Sequence, residues 1–231
     1  MSTFNNILDS LCGKNKWIAY CISLDRCVDR QTNFKSWADK VGLDFNWWSA
    51  TDKLDLVQAD YDTYCDVYVN GTCKSAGATA CRISHHKLTK HLLKNRSDYE
   101  YFFILEDDAG FNGDFSSKKE HLFNFINEIM FNKYKWNSLW FGHQINGGMK
   151  ILESIPGAQY TQTYKQTHLN HAMLIEKNQV ELHLQQLNNP KHKNLAVGWT
   201  IDNLRISKLG ITLGPISNII DQVDTVSYIW N

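Results

Sequence analysis

The reading of "YFFILEDDA", residues 101–109, decides the fold. Five apolar or aromatic residues run straight into three acids. An apolar run with no polar alternation predicts a strand covered on both faces, as in a parallel or mixed sheet between layers of helices. Similar runs occur at "WIAYCISL" (17–24), "FNWWSA" (45–50), "SLWFG" (138–142) and "HAMLIE" (171–176). Helical spacing lies between them. Phe34, Trp37 and Val41 share one stripe that ends on Gly42, a C-cap residue. Cys81, Leu88 and Leu92 share another. Ser117 with Glu120 resembles a capping box ahead of Leu122, Ile126 and Ile129. "NQVELHLQQLNN" follows the last of these strands. Strand alternating with helix predicts an α/β fold, a mostly parallel central sheet with helices on both faces. The 231 residues suit a single domain over 1–231, with 1–15 expected as a loosely packed N-terminal segment.

In open α/β sheets, ligands sit beyond the carboxyl ends of the strands. That rule gathers "SLDR" (23–26), "SATD" (49–52) and "EDDA" (106–109) at one edge. If strand geometry continues to residue 108, Glu106 and Asp108 point one way, about 7 Å apart, and Asp107 points the other. Two such carboxylates can hold one hard cation, Mn²⁺ or Mg²⁺, with substrate oxygens completing its shell. The competing reading is a solvated turn in which one acid caps the next helix.

Composition narrows the function classes. Hydrophobic residues make up 43%, enough for a sizeable core, and aromatics 13%, with eight Trp. Net charge is zero, which argues against nucleic acid as a partner. All six cysteines fall within the first 81 residues and none forms a CxxC pair. Cys21 reads as a core thiol, whereas Cys65 and Cys73 flank a turn-like "VNGT" and could pair in an oxidising compartment. No signal peptide or apolar stretch of membrane-spanning length is visible, so a soluble, cytoplasmic protein with reduced thiols is expected. The sequons at Asn70 and Asn95 are then chance matches. The Asn- and Lys-rich composition suits a microbial or viral origin.

Seven stretches together resemble one family, glycosyltransferase family 25, the lipooligosaccharide and procollagen galactosyltransferases. They are "ISLDRCVDR" (22–30), "FNWWSATD" (45–52), "GATACRISHHKL" (77–88), "YFFILEDDA" (101–109), "THLNHAMLIEK" (167–177), "WTIDNL" (199–204) and "DQVDTVSYI" (221–229). Three positions depart from the family pattern. Ala80 and Lys53 stand where glycines are usual, and Met173 where a tyrosine is usual.

The resemblance implies a GT-A type nucleotide-sugar-binding domain. It would transfer a hexose, galactose or glucose, from a UDP-sugar to a hydroxyl of a glycan or hydroxylated protein, with inversion. A cation at Glu106 and Asp108 would bridge the diphosphate. Ser23, Leu24, Asp25, Thr51, Asp52, Gly77 and Asp107 are then expected around the nucleotide. Arg26 and Arg30, four apart, share a face if the turn becomes helical, and would meet the diphosphate or order the acids. Ser84 and His85 are expected to face inward or toward the cleft and to support it; His86 and His91 are expected at the surface. Because His85 and His86 point about 100° apart on a helix, they are not expected to build a zinc cluster with Cys81. An inverting transfer needs a base for the acceptor hydroxyl, and Asp202 is the candidate, with a helix-start cap or a sugar-hydroxyl ligand as its other readings; Trp199 beside it would stack on a sugar face or pack in the core. His168 and His171 are secondary candidates, either as a third metal ligand or as buried strand residues, and Asp221 and Gln222 are expected on the acceptor side.

Two other classes compete. A metal-dependent phosphoesterase would use the same acids but needs more carboxylates close by. A non-catalytic nucleotide-sugar or glycan-binding protein would keep the cation site and lack the base.

Overall fold

The computed structural model describes residues 3–64, 68–69, 72–73, 76–96, 98–142, 151–166, 171–187 and 211–223. In chain order the elements are α1 (Phe4–Cys12), β1 (Trp17–Ser23), α2 (Val28–Val41), β2 (Asn46–Ser49), a 3-10 turn (Lys53–Asp55), α3 (Gln58–Tyr64), β3 (Tyr68–Val69), β4 (Thr72–Cys73) and α4 (Ala76–Asn95). There follow β5 (Tyr101–Glu106), β6 (Ala109–Gly110), α5 (Phe115–Asn132), β7 (Ser138–Trp140), β8 (Ile151–Ser154), β9 (Thr161–Gln166), β10 (Ala172–Glu176), α6 (Lys177–Leu187), β11 (Thr212–Pro215) and β12 (Asp221–Gln222).

Eight strands form one mixed sheet in the order β2-β1-β5-β10-β7-β11-β9-β8. β1 pairs in parallel with β2 and β5, so three strand ends open on one edge. β10 runs antiparallel between β5 and β7. Side chains alternate between two cores, as strand geometry requires. Ala19, Cys21, Phe103, Leu105 and Leu174 face the core shared with α1, α2 and α5. Tyr20, Ile22, Phe102, Ile104 and Met173 face Leu88, Leu92 and Val180 on α4 and α6. Both faces are covered, which is why these strands carry unbroken apolar runs.

All five expected strands form, and so do the four expected helices. Gly42 ends α2 in the left-handed region at φ 68°. A Cβ there would come within 2.7 Å of Thr3. The N-terminal segment does not pack loosely. Phe4, Ile7 and Leu8 of α1 are buried, with Phe4 stacked on Phe103 at 5.5 Å. Nor does Ser117 cap α5. The cap is Asp114, whose carboxylate accepts from the Ser117 backbone N–H at 2.8 Å, one residue before the helix begins. The β8–β9 pair carries too many polar residues to stand out as a buried run, and β11, "TLGP", is short and ends on a Gly-Pro; these strands extend the sheet beyond the expected ones. Among the described residues no helix is long and apolar enough to cross a membrane.

Candidate functional site

Three loops leave the carboxyl ends of β1, β2 and β5, and an open cleft lies between them. Ser23, Leu24, Thr51, Asp52, Gly77, Ser84, Glu106, Asp107 and Asp108 all line it. The expectation from strand ends alone therefore brings together three stretches of sequence more than 20 residues apart.

The acids differ from the alternating arrangement. β5 ends at Glu106, and Asp107 and Asp108 form a turn that leads into β6. The turn is fixed by backbone bonds: the Asp107 N–H donates to Ile22 O at 3.1 Å, and the Val223 N–H to Asp108 O at 2.8 Å. The period-two rule thus stops one residue before it would separate Asp107 from Asp108. Both carboxylates meet Arg30, on the first turn of α2. Its Nη2 lies 2.7 Å from Asp107 Oδ1 and 2.9 Å from Asp108 Oδ2. The Ser23 hydroxyl donates to Asp107 Oδ2 at 2.6 Å, and Gln222 Nε2 donates to Asp108 Oδ2 at 2.6 Å.

Burial is severe for both acids. It pushes the Asp107 carboxyl up to about 6, with the Asp108 and Glu106 charges adding to the rise; the Ser23 hydroxyl and the Arg30 guanidinium oppose it only in part. Asp108 is also held above the ordinary carboxylate range, first by burial and then by the Glu106 charge. Its Oδ1 is buried with no hydrogen-bond partner. A buried, unpaired carboxylate oxygen beside a second acid is costly unless positive charge approaches. Glu106 turns to His85 and Asp108 to Arg30 and Gln222, and both acids line the cleft, so oxygen donors of the kind a hard divalent cation takes are present there.

The other expected residues divide. Arg26 does not join Arg30 at the acids. It lies in the turn before α2, where its guanidinium pairs with Asp52. That hydrogen bond is the main cause holding the Asp52 carboxyl below its ordinary value. Asp52 also caps the 3-10 turn by accepting from the Leu54 N–H at 3.1 Å. Asp25 is exposed and accepts from the Ser49 hydroxyl at 2.8 Å, so it braces β1 against β2 at the rim. The Ser84 hydroxyl accepts from the Thr51 N–H at 2.8 Å, which ties α4 to the second loop.

His85 is 1% exposed and its Nε2 sits 2.9 Å from Glu106 Oε1, the position of a residue that supports the cleft from behind. His86 is not at the surface: it is buried, with Nδ1 3.1 Å from the Tyr64 hydroxyl. His171 is buried too, and its Nε2 pairs with Ile220 O at 2.8 Å, away from the acids. Asp202, Trp199 and His168 lie outside the described residues, as do the side chains of Cys65 and Cys73.

Two cleft residues were not expected there. Lys53 and Cys81 line the cleft beside the acids. Gln222, expected on the acceptor side, instead holds Asp108 from 114 residues away. Cys81 was legible only as the i−4 neighbour of His85 on one helix face.

The model of glycosyltransferase family 25 (LPS biosynthesis protein) matches residues 17–189, well over half of the chain. The matched stretch holds Arg30, His85 and the three acids, and ends before Asp202 and Gln222. No curated protein matches the chain. Among solved structures, the crystal structure of A197 from STIV is similar at 12% identity and a TM-score of 0.44, over 89% of this chain and 83% of that one. That likeness is too remote to inform the site.

Proposed function

Because this chain belongs to glycosyltransferase family 25, we propose that it transfers a hexose, galactose or glucose, from a UDP-sugar to a hydroxyl of a glycan or hydroxylated protein, with inversion and with help from a divalent metal. The observation that carries the reading is the meeting of Arg30 with Asp107 and Asp108 at the floor of a cleft framed by three strand ends. A diphosphate brings two or more negative charges, and a site for it needs countercharge that is already oriented. A cation held by Glu106 and Asp108, Mn²⁺ or Mg²⁺, would offset charge on the departing diphosphate.

This chain's own groups do the rest. Arg30 is locked between Asp107 and Asp108, so it holds the two carboxylates in place, and the countercharge for the diphosphate would come from the cation. Thr51 and Asp52, at the second loop, suit hydrogen bonding to ribose or base. In the transfer, the bond from the sugar C1 to the diphosphate oxygen breaks as the acceptor oxygen bonds to C1 from the opposite face. The acceptor hydroxyl gives its proton to a carboxylate, for which Asp202 is the candidate.

Donor hydrolysis across a panel of nucleotide sugars tests the reading. UDP-galactose or UDP-glucose should be consumed only with metal present, and no consumption of any UDP-sugar would contradict it. Asp202→Asn should lower kcat by about 10²-fold or more while UDP binding is kept, the usual share of a general base. Turnover equal to wild type would move the base elsewhere.

A further inference from the structure

The back wall of the cleft holds a second donor set with different chemistry. Cys81 and His85 are four residues apart on α4, so both side chains leave the helix on one face. Glu106, the last residue of β5, meets them from the sheet. His85 Nε2 is 2.9 Å from Glu106 Oε1, and Cys81 Sγ is 4.0 Å from the same oxygen. One ligand atom from each of the three residues lies within 4.8 Å of the other two. A tetrahedral zinc with ordinary bond lengths separates its ligand atoms by about 3.3–3.8 Å. The two pairs with Glu106 need shifts of about half an ångström to reach that spacing, and the sulfur–imidazole pair up to about 1 Å, within reach of side-chain rotation.

We propose that Cys81, His85 and Glu106 form a Zn²⁺ site whose fourth position opens to the cleft. Sulfur, imidazole and carboxylate together suit a borderline-soft ion, whereas the all-oxygen pair Glu106 and Asp108 suits a hard one. Two elements supply the ligands, and the core packing of α4 against the sheet fixes their spacing. Cys81 and Glu106 both line the cleft, so ion and water have a path in. On binding, the Cys81 thiol gives its proton to solvent and the thiolate bonds the metal. Glu106 belongs to both donor sets. Zinc at the back wall therefore draws Glu106 from the acidic turn and weakens metal-dependent donor binding; this last consequence rests on the function proposed above.

The test uses the full chain, stripped with chelator, and zinc alone. Competition against a chromogenic chelator should give one tight zinc equivalent. Affinity should fall at least tenfold in Cys81→Ser and in His85→Gln, and stay within twofold in Asp108→Asn. On the wild-type chain, without any variant, zinc should slow iodoacetamide labelling of Cys81, read by peptide mapping. Co²⁺ should give a thiolate charge-transfer band that Cys81→Ser loses. Unchanged zinc affinity in Cys81→Ser, or Cys81 labelling that zinc leaves unslowed, would overturn the site. Zinc bound at Cys81 that leaves manganese-dependent UDP binding unaltered would overturn the competition. A chain that binds zinc there but no UDP with any metal would sink the donor reading and leave the zinc site standing.

Discussion

Arg30 carries more of the site than any other single side chain. One nitrogen touches two buried carboxylates, each of which burial alone would push toward neutrality. Removing one partner from such a group leaves uncompensated charge, which costs about 3–5 kcal/mol in comparable buried pairs. Arg30→Met is therefore expected to lose stability on that order, measured by urea unfolding at neutral pH. A loss below about 1 kcal/mol would mean that the acids find another partner. The sequence offered the meeting of Arg30 with the acids as one of two readings, contact with the diphosphate being the other, and could not choose between them. The meeting depends on β5 stopping at Glu106, and the stop is set by backbone bonds to Ile22 and Val223 that span tens of residues or more. The pairing of Glu106 with His85 was hidden for the same reason, since each residue read alone has an ordinary explanation.

At the scale of elements, two junctions hold the fold together. The first ties α5 to the start of β9. Glu128 Oε1 accepts from the Gln159 N–H at 2.6 Å and Oε2 from the Tyr160 N–H at 3.0 Å. Burial works to raise the Glu128 carboxyl, but these accepted bonds outweigh it and hold it below its ordinary value. A depressed carboxyl stabilises the fold above its unfolded pKa, and that contribution fades as pH falls through the folded pKa. Glu128→Gln should thus cost about 1 kcal/mol at pH 7, and the gap to wild type should close as the pH is taken below 4. A gap that persists at pH 3 would assign the effect to packing. The second junction is Gly142, after β7. A Cβ there would lie 1.9 Å from Ile220 O and 2.6 Å from His171 Nε2. Gly142→Ala must push away the segment that carries Gln222 to Asp108, at a cost of about 3 kcal/mol or more, visible as a lowered melting temperature. These elements differ in how plainly the sequence announced them. Strands buried on both faces read as apolar runs, and Gly42 marked the end of α2. The helix α1 hid behind paired asparagines, although Phe4, Ile7 and Leu8 stand at helical spacing. The polar strand β9, "TQTYKQ", has no apolar run to betray it.

Taken whole, the molecule places its chemistry where the sheet changes direction. The parallel strands β2, β1 and β5 supply the loops of the cleft, and β10, antiparallel to β5, closes that side. A ligand bound only to the folded chain raises stability by RT ln(1 + [L]/Kd), about 2.7 kcal/mol at a hundred times Kd. UDP with Mn²⁺ should raise the melting temperature by several degrees, and UDP with chelator should not. Glu106→Gln and Asp108→Asn should each abolish most of the metal-dependent part. The central claim is that Glu106 and Asp108 hold the cation that holds the diphosphate. Anomalous scattering from crystals grown with manganese and UDP tests it most directly. A manganese peak is expected within bonding distance of both carboxylates and of a diphosphate oxygen. A peak that touches neither acid, with the nucleotide seated elsewhere, would contradict it.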